Sequence, residues 1–446
     1  MPYPCFFAAA NAPALTIGPF TLLLCALPVL LLGEWLNRRI PALARSNIPP
    51  GIVGGLLVAL ALYALSLAAP GSVALQGSTS HAAWLWSVLP QWEPATPKPM
   101  DVERPLLILF FTCIGLNASW QVARQGGVPL VKYLALAIGI GVIQAVTGAA
   151  TALGLGQPAL LGVMTSNVSL MGGFGTAAGF APEFEKAGLQ GAASIGIAAA
   201  AFGVVAGGLI AGLVGGRLVE SKVRLRAAAS KAPAADDRPE DNVRPPEPAT
   251  FLAEVRDLAR AGGATMVHLG VLVVAMKLGA FVSSFIQQSG ITFPVYMGSM
   301  IVAAALRNLH DACGGRLLTT SHTDAVGSVA LAWLLTVVMI DLQLAELAHA
   351  ALPMLVILTL QVALLAALSS WLVFRVMGRD YEAAVMSAGM IGFGLGATSN
   401  ALASMRMLAR RFGPAPRAFL IVPIVGAFLV DFANAVLTTG ALNLLR

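Results

Sequence analysis

The stretch PIVGAFLVDFANAVL carries one carboxylate, Asp431, deep inside an apolar run, with Asn434 three residues on. A charge at the bilayer centre costs roughly 2.5–3.5 kcal/mol on insertion scales, so such a residue faces a cavity or a partner. Positions i and i+3 share a helix face, so the pair can ligate a cation or the ammonium of an amino acid. The competing reading is a buried polar pair that fixes helix packing. Two glycine clusters bring complementary chemistry: MGGFGTAAGF (171–180) and GFGLGATSNA (392–401). Glycine inside a helix costs about 1 kcal/mol relative to alanine, so each cluster marks a break. A break within the membrane presents free N–H groups and the positive end of the following half-helix to a carboxylate. The preceding half-helix presents carbonyls to Na+. Gly172, Gly173, Gly175 and Thr176, with Gly394, Gly396, Thr398 and Asn400, are the candidate substrate-binding groups. Asp431, Asn434, Ser169 and Ser399 are the candidate Na+ ligands. The alternative for the glycines is close helix packing through small residues.

Such groups need a membrane around them, and the composition supplies it. The 446 residues are 57% hydrophobic and 11% charged, with a mean hydropathy of +0.81. Soluble globular chains are far more polar. Of 27 basic and 21 acidic residues, seventeen fall between Arg217 and Arg260, a stretch that also holds Pro233, Pro239, Pro245, Pro246 and Pro248. Residues 217–262 therefore read as a polar, disordered linker between two halves, 1–216 and 263–446.

A spanning helix needs about 20 apolar residues. That template places runs near Thr16–Trp35, Ile52–Ala69, Pro105–Ser119, Pro129–Leu153 and Ala192–Val214 in the first half. The second half holds Thr265–Ile286, Phe293–Leu306, Val326–Leu342, Pro353–Phe374 and Phe419–Leu442. Between the fourth and fifth runs of each half lie the glycine-broken stretches, 158–184 and 383–407. Half-helices of about ten residues reach about 15 Å, half of the hydrocarbon core, which fits re-entrant hairpins. Charge favours hairpins over full spans. With ten spans and both termini outside, Arg38, Arg39, Arg45, Arg124, Lys132, the linker, Arg307, Arg316, Arg375, Arg379 and the Arg406–Arg417 cluster all fall on the cytoplasmic side. The outer connections hold chiefly Lys98, Arg104 and Lys186. The net charge of +6 is thus a topology signal and not a nucleic-acid patch.

The halves repeat weakly and in order. PPGIVGGLLVALAL lies on FPVYMGSMIVAAAL with Pro50 over Pro294 and Gly54 over Gly298, and GGFGTAA lies on FGLGATS. Five spans per repeat invert the second copy. The expected fold is an all-α polytopic membrane protein of two inverted five-helix repeats, ten spans and two re-entrant hairpins. Inverted repeats with matching broken helices point to a secondary transporter whose site lies where the breaks meet.

Other residues carry less. Lys277, mid-span, pairs with an acidic group, approaches an anion or serves packing; Glu34, Arg307 and Asp341 read as interfacial. The five histidines and Cys5, Cys25, Cys113 and Cys313 lack metal-ligand spacing. No phosphate-binding loop, HExxH or GxSxG is present, so neither ATP-driven pumping nor hydrolysis is supported and no enzyme is expected.

GGFGTAAGF, GFGLGATSNALASM, RFGPAPRAFLIVPIVGAFLVDFANA, IPPGIVGGLLVALAL and FFTCIGLNAS together resemble the sodium/glutamate symporter family (ESS), in collinear order from about Leu30 to Leu442. The resemblance implies a carrier of the bacterial inner membrane that takes up L-glutamate on the Na+ gradient by an elevator motion. It implies a homodimer among membrane lipid, with Na+ as coupling ion and no cofactor. By motif it assigns the loop at Gly172, Gly173, Gly175 and Thr176, the loop at Gly394, Gly396, Thr398 and Asn400, and Asp431 with Asn434 to substrate and ion. The chain departs from the family at Phe174 and Met390, where the family pattern has histidine. That departure admits a less polar organic anion, or H+ coupling, on the same fold. A channel or a non-transporting sensor is the rival from another class.

Overall fold

A computed structural model describes residues 15–40, 43, 48–69, 73–92, 97–223, 250–290, 293–315, 317–342, 344–396 and 398–445. Helices dominate, and proline sets where many begin. Its fixed φ suits a first turn that has no N–H partner to lose. In the first half these are α1 (Pro19–Arg39), α2 (Pro50–Ala68), α3 (Arg104–Asn117), α4 (Gly127–Gly154), α5 (Ala159–Met171), α6 (Gly173–Lys186) and α7 (Ala192–Leu218). After the linker come α8 (Phe251–Arg260), α9 (Gly263–Gln287), α10 (Val295–Ala312), α11 (Thr320–Ile340), α12 (Leu344–Leu368), α13 (Tyr381–Gly394), α14 (Thr398–Phe412), α15 (Pro416–Ile424) and α16 (Val430–Leu445).

Seven helices among the described residues are long and apolar enough to cross a bilayer: α1, α2, α4, α7, α9, α11 and the stretch Ala350–Val376 that continues α12. Arg104–Asn117, Ala159–Met171 and Val430–Leu445 are shorter apolar helices. The protein is therefore a multi-pass membrane protein.

Packing places the glycine-broken helices innermost. Every residue of Met164–Met171 and of Ala383–Gly394 is buried, whereas α1, α2 and α4 turn Leu24, Leu57, Leu60, Val131 and Val146 outward. Non-helical backbone survives at membrane depth only when protein or a wet cavity surrounds it, and here protein does. Outside this centre, α1 packs on α2 as α9 packs on α10, and α2 meets α11 as α3 meets α10. The aligned glycines make these crossings possible. A Cβ on Gly54 would strike the Val29 carbonyl of α1, and one on Gly298 would strike the Gly279 carbonyl of α9.

Two departures from the sequence reading concern the connections. The fold is not purely α: Leu15–Ile17 (β1) pairs in parallel with Val73–Leu75 (β2), and Ser78–Thr79 (β3) pairs antiparallel with Met100–Asp101 (β4). β1 precedes α1 and β2–β4 lie between α2 and α3, where segments of two or three residues satisfy their backbone by pairing. The linker is also not wholly irregular. Helical structure continues from α7 to Val223, and Thr250 caps α8 by accepting the Ala253 N–H (3.1 Å). The disorder expected for 224–249 lies outside the described residues.

Candidate functional site

The first break is built by a loss of helical register. Helix α5 widens into a π-type turn over Met164–Met171, with Ser166 off the helix at φ −112°, ψ −111°. The Gly172 N–H returns to the Asn167 carbonyl (3.1 Å), and Gly173, at φ +66°, starts α6. In the second break α13 stops at Gly394, Gly396 takes φ +143°, and α14 starts at Thr398. A side chain is strained in that left-handed region, which glycine occupies freely. The two breaks touch: a Cβ on Gly173 would stand 2.8 Å from the Gly396 carbonyl oxygen. The start of α6 is thus brought against the loop that precedes α14.

Around this contact the halves exchange polar partners. Asn167 Nδ2 donates to Asn434 Oδ1 (2.9 Å) and to Thr438 Oγ1 (3.3 Å), joining the first break to the last helix of the other half. Asn400 Nδ2 donates to the Val204 carbonyl of α7 (2.6 Å), joining the second break to the last helix of the first half. Thr398 donates to the Gly426 carbonyl (2.6 Å), within the π-type turn Val425–Leu429 that precedes α16. Such turns loosen carbonyls from the helical ladder and recur at functional sites. Gly172 packs against both Thr176 and Asn434; Asn434 Nδ2 is buried without a partner among the described residues, as is Asn167 Oδ1. Buried polar atoms ordinarily have partners, so these are ligand-ready. The Asp431 carboxylate is half-buried, with no hydrogen bond or ion pair to another described residue. The buried hydroxyl of Tyr296 is likewise without a partner among the described residues, and its ring stacks on Phe111 (4.0 Å between centroids).

Not every candidate joins this group. Ser169 is buried but gives its hydroxyl to the Met164 carbonyl of its own turn (2.5 Å), and Ser399 is exposed. Gly175 packs on Phe110, and Gly394 packs on Leu365. Asn167, Thr438 and Tyr296 were not singled out by sequence; the signal for Asn167 was a lone amide amid MTSNVSLM. Phe174, 6% exposed, packs with Ile52, Ile197, Leu335 and Met339, and Met390 lies in the largest apolar cluster. Lys277 forms no ion pair with an acidic side chain among the described residues. Its ammonium donates to the Trp86 (2.8 Å), Leu89 (2.9 Å) and Gln91 (2.6 Å) carbonyls, under the Trp86 ring 4.5 Å away. All three donors of the ammonium are therefore used in pinning the connection between α2 and α3 to α9. Glu34 is paired with Arg38 (2.9 Å).

Among the described residues no group of His, Cys, Asp and Glu forms a metal centre. What the tips offer is oxygen, amide and N–H, the chemistry of reversible binding.

The sequence pattern of the sodium/glutamate symporter family matches residues 15–87 and 94–414. A sodium/glutamate symporter of Haemophilus influenzae is 33% identical over 423 residues, covering 95% of this chain and 96% of that one. One of Escherichia coli strain K12 is 32% identical over 416 residues, covering 93% and 94%. Both matches span nearly all of each chain, and the family is one of transporters, not enzymes. With two broken helices meeting at its centre, this chain belongs to the sodium/glutamate symporter family.

Proposed function

We propose that the protein is a Na+-coupled carrier that brings L-glutamate into the cell. The observation that carries the reading is the contact of Gly173 with the Gly396 carbonyl. It gathers two half-helix N-termini for the substrate carboxylates, beside the uncommitted Asp431 and the Asn167–Asn434 amides. Asp431 and Asn434 serve the coupling ion or the substrate ammonium, and Thr176, Thr398 and Asn400 hold the loops in shape. The name shared by the relatives, sodium/glutamate symporter, supports both the ion and the substrate. Phe174 and Met390, which opened the way to a less polar anion or to H+, lie in apolar packing, so they support that alternative weakly.

The fold is read as two inverted five-helix repeats, ten spans and two re-entrant hairpins. The matched crossings of α1 with α2 and α9 with α10 support this, as does the reciprocal bonding of each break to the other half's last helix. Both termini lie outside and the linker in the cytoplasm of a bacterial inner-membrane homodimer. An elevator motion carries the hairpins, α7 and α16 past the remaining helices.

Uptake of radiolabelled L-glutamate into proteoliposomes, with and without an inward Na+ gradient and with competing acids, tests the reading. Saturable uptake that collapses without Na+ is expected. Uptake indifferent to Na+ refutes the coupling, and no glutamate uptake refutes the substrate.

A further inference from the structure

Two buried glutamines have no part in the contact just described. Gln144 of α4 and Gln361 of α12 are both 0% exposed. Their nitrogens are committed: Gln144 Nε2 donates to the Gly394 carbonyl (3.3 Å), and Gln361 Nε2 to the Gln144 main-chain carbonyl (2.9 Å) and to Thr147 Oγ1 (3.2 Å). Main-chain carbonyls only accept, so nitrogen must face them and the orientation of both amides is set. Oε1 of each glutamine is therefore the atom left over, and both are buried without a partner among the described residues. Two stranded acceptors at one helix crossing call for a ligand that is positive or donates.

Their surroundings favour a monovalent cation. Gly394 ends α13, so its carbonyl belongs to the orphan set at a helix C-terminus, where the dipole is negative. Thr147 gives its hydrogen to the Ile143 carbonyl (2.6 Å) and so presents only oxygen toward Gln361. All these groups are neutral oxygens, a set that suits a small hard cation and lacks the carboxylates a divalent ion demands.

We propose that Gln144 Oε1, Gln361 Oε1 and the Gly394 carbonyl form a cation site at the crossing of α4 and α12, additional to Asp431. Only the identity of the ion, Na+, rests on the reading of the chain as a Na+-coupled carrier. The site couples to transport because Gly394 stands two residues before the Gly396 tip. A cation there fixes the end of α13 and with it the loop that meets Gly173.

The test is equilibrium binding of radioactive Na+ to the purified full-length protein, counted per protomer, beside Na+-dependent glutamate uptake in proteoliposomes. Gln144→Met and Gln361→Met are each expected to bind one Na+ fewer than the parent. The Na+ concentration for half-maximal uptake should rise about tenfold or more as a ligand leaves the shell. Folded, monodisperse variants with an unchanged Na+ count overturn the site, because water then satisfies the oxygens. Should the methionine variants not fold, Gln361→Glu keeps an oxygen and adds charge; tighter Na+ binding is expected, and unaltered affinity overturns the site. A parent that binds Na+ but takes up no glutamate refutes the substrate reading and leaves this site standing.

Discussion

Replacing Gly173 by alanine tests whether the two tips must touch for transport. Gly173 sits at φ +66°, where a residue with a Cβ pays roughly 1–2 kcal/mol. The added Cβ would stand 2.8 Å from the Gly396 carbonyl, closer than real contacts allow, and relieving such overpacking costs typically about 1–3 kcal/mol. Together the two penalties come to about 2–5 kcal/mol against the state in which the tips meet. At about 1.4 kcal/mol per tenfold, that state falls in population by about thirtyfold to several thousandfold. Glutamate uptake by Gly173→Ala in proteoliposomes should fall accordingly, while the protein still elutes as a folded species. Gly270→Ala is the control. Gly270 lies exposed in α9 with nothing within 4 Å of the added methyl, so uptake should be unchanged and the helix slightly stabilised. Gly173→Ala transporting within about twofold of the parent, where about 2 kcal/mol of strain or more was expected, would refute the reasoning.

Three further outcomes are expected. Asp431→Asn should abolish the Na+ dependence of uptake with expression nearly intact, since no described residue is bonded to the carboxylate; failure to fold would instead mark a packing role. Lys277→Met strands three carbonyls, each worth about 1–3 kcal/mol where water cannot reach it, so Tm should drop and protease should open the α2–α3 connection around Trp86. An unchanged Tm would show that the carbonyls are readily hydrated. In the same connection, burial and then the neighbouring Asp101 push Glu103 up to about 8 from an ordinary value of 4.5. The folded state thus keeps this proton while the unfolded chain releases it. Its contribution is full below 4.5 and is lost as pH rises to about 8, so Tm should decline over that window and Glu103→Gln should flatten the slope. An equal slope in Glu103→Gln would assign the dependence to another group.

Much of the molecule is legible along the chain because bilayer solvation is a local constraint. Apolar runs of spanning length, clustered arginines and paired glycine breaks each announce themselves within about 20 residues, and the long helices lie where those runs do. The aligned Gly54 and Gly298 even anticipate matched helix crossings, since close approach needs a missing Cβ. Weak local patterns fared worse. Amphipathic α8 was hidden in a proline- and charge-rich stretch, and the strands β1–β4 are too short to carry a periodicity.

What only the tertiary structure decided is which distant residues meet. Gly173 touches Gly396, Asn167 bonds Asn434, Gln361 bonds Gln144, and Lys277 finds the carbonyls of Trp86, Leu89 and Gln91. Each pair is separated by about 190 residues or more, so no window of the sequence holds both members. Helix periodicity tells which face of a segment is polar but not what that face meets. By itself the sequence determined a membrane protein with two broken helices. Packing determined that the breaks converge, because buried polar groups in hydrocarbon have no water to turn to and must find one another.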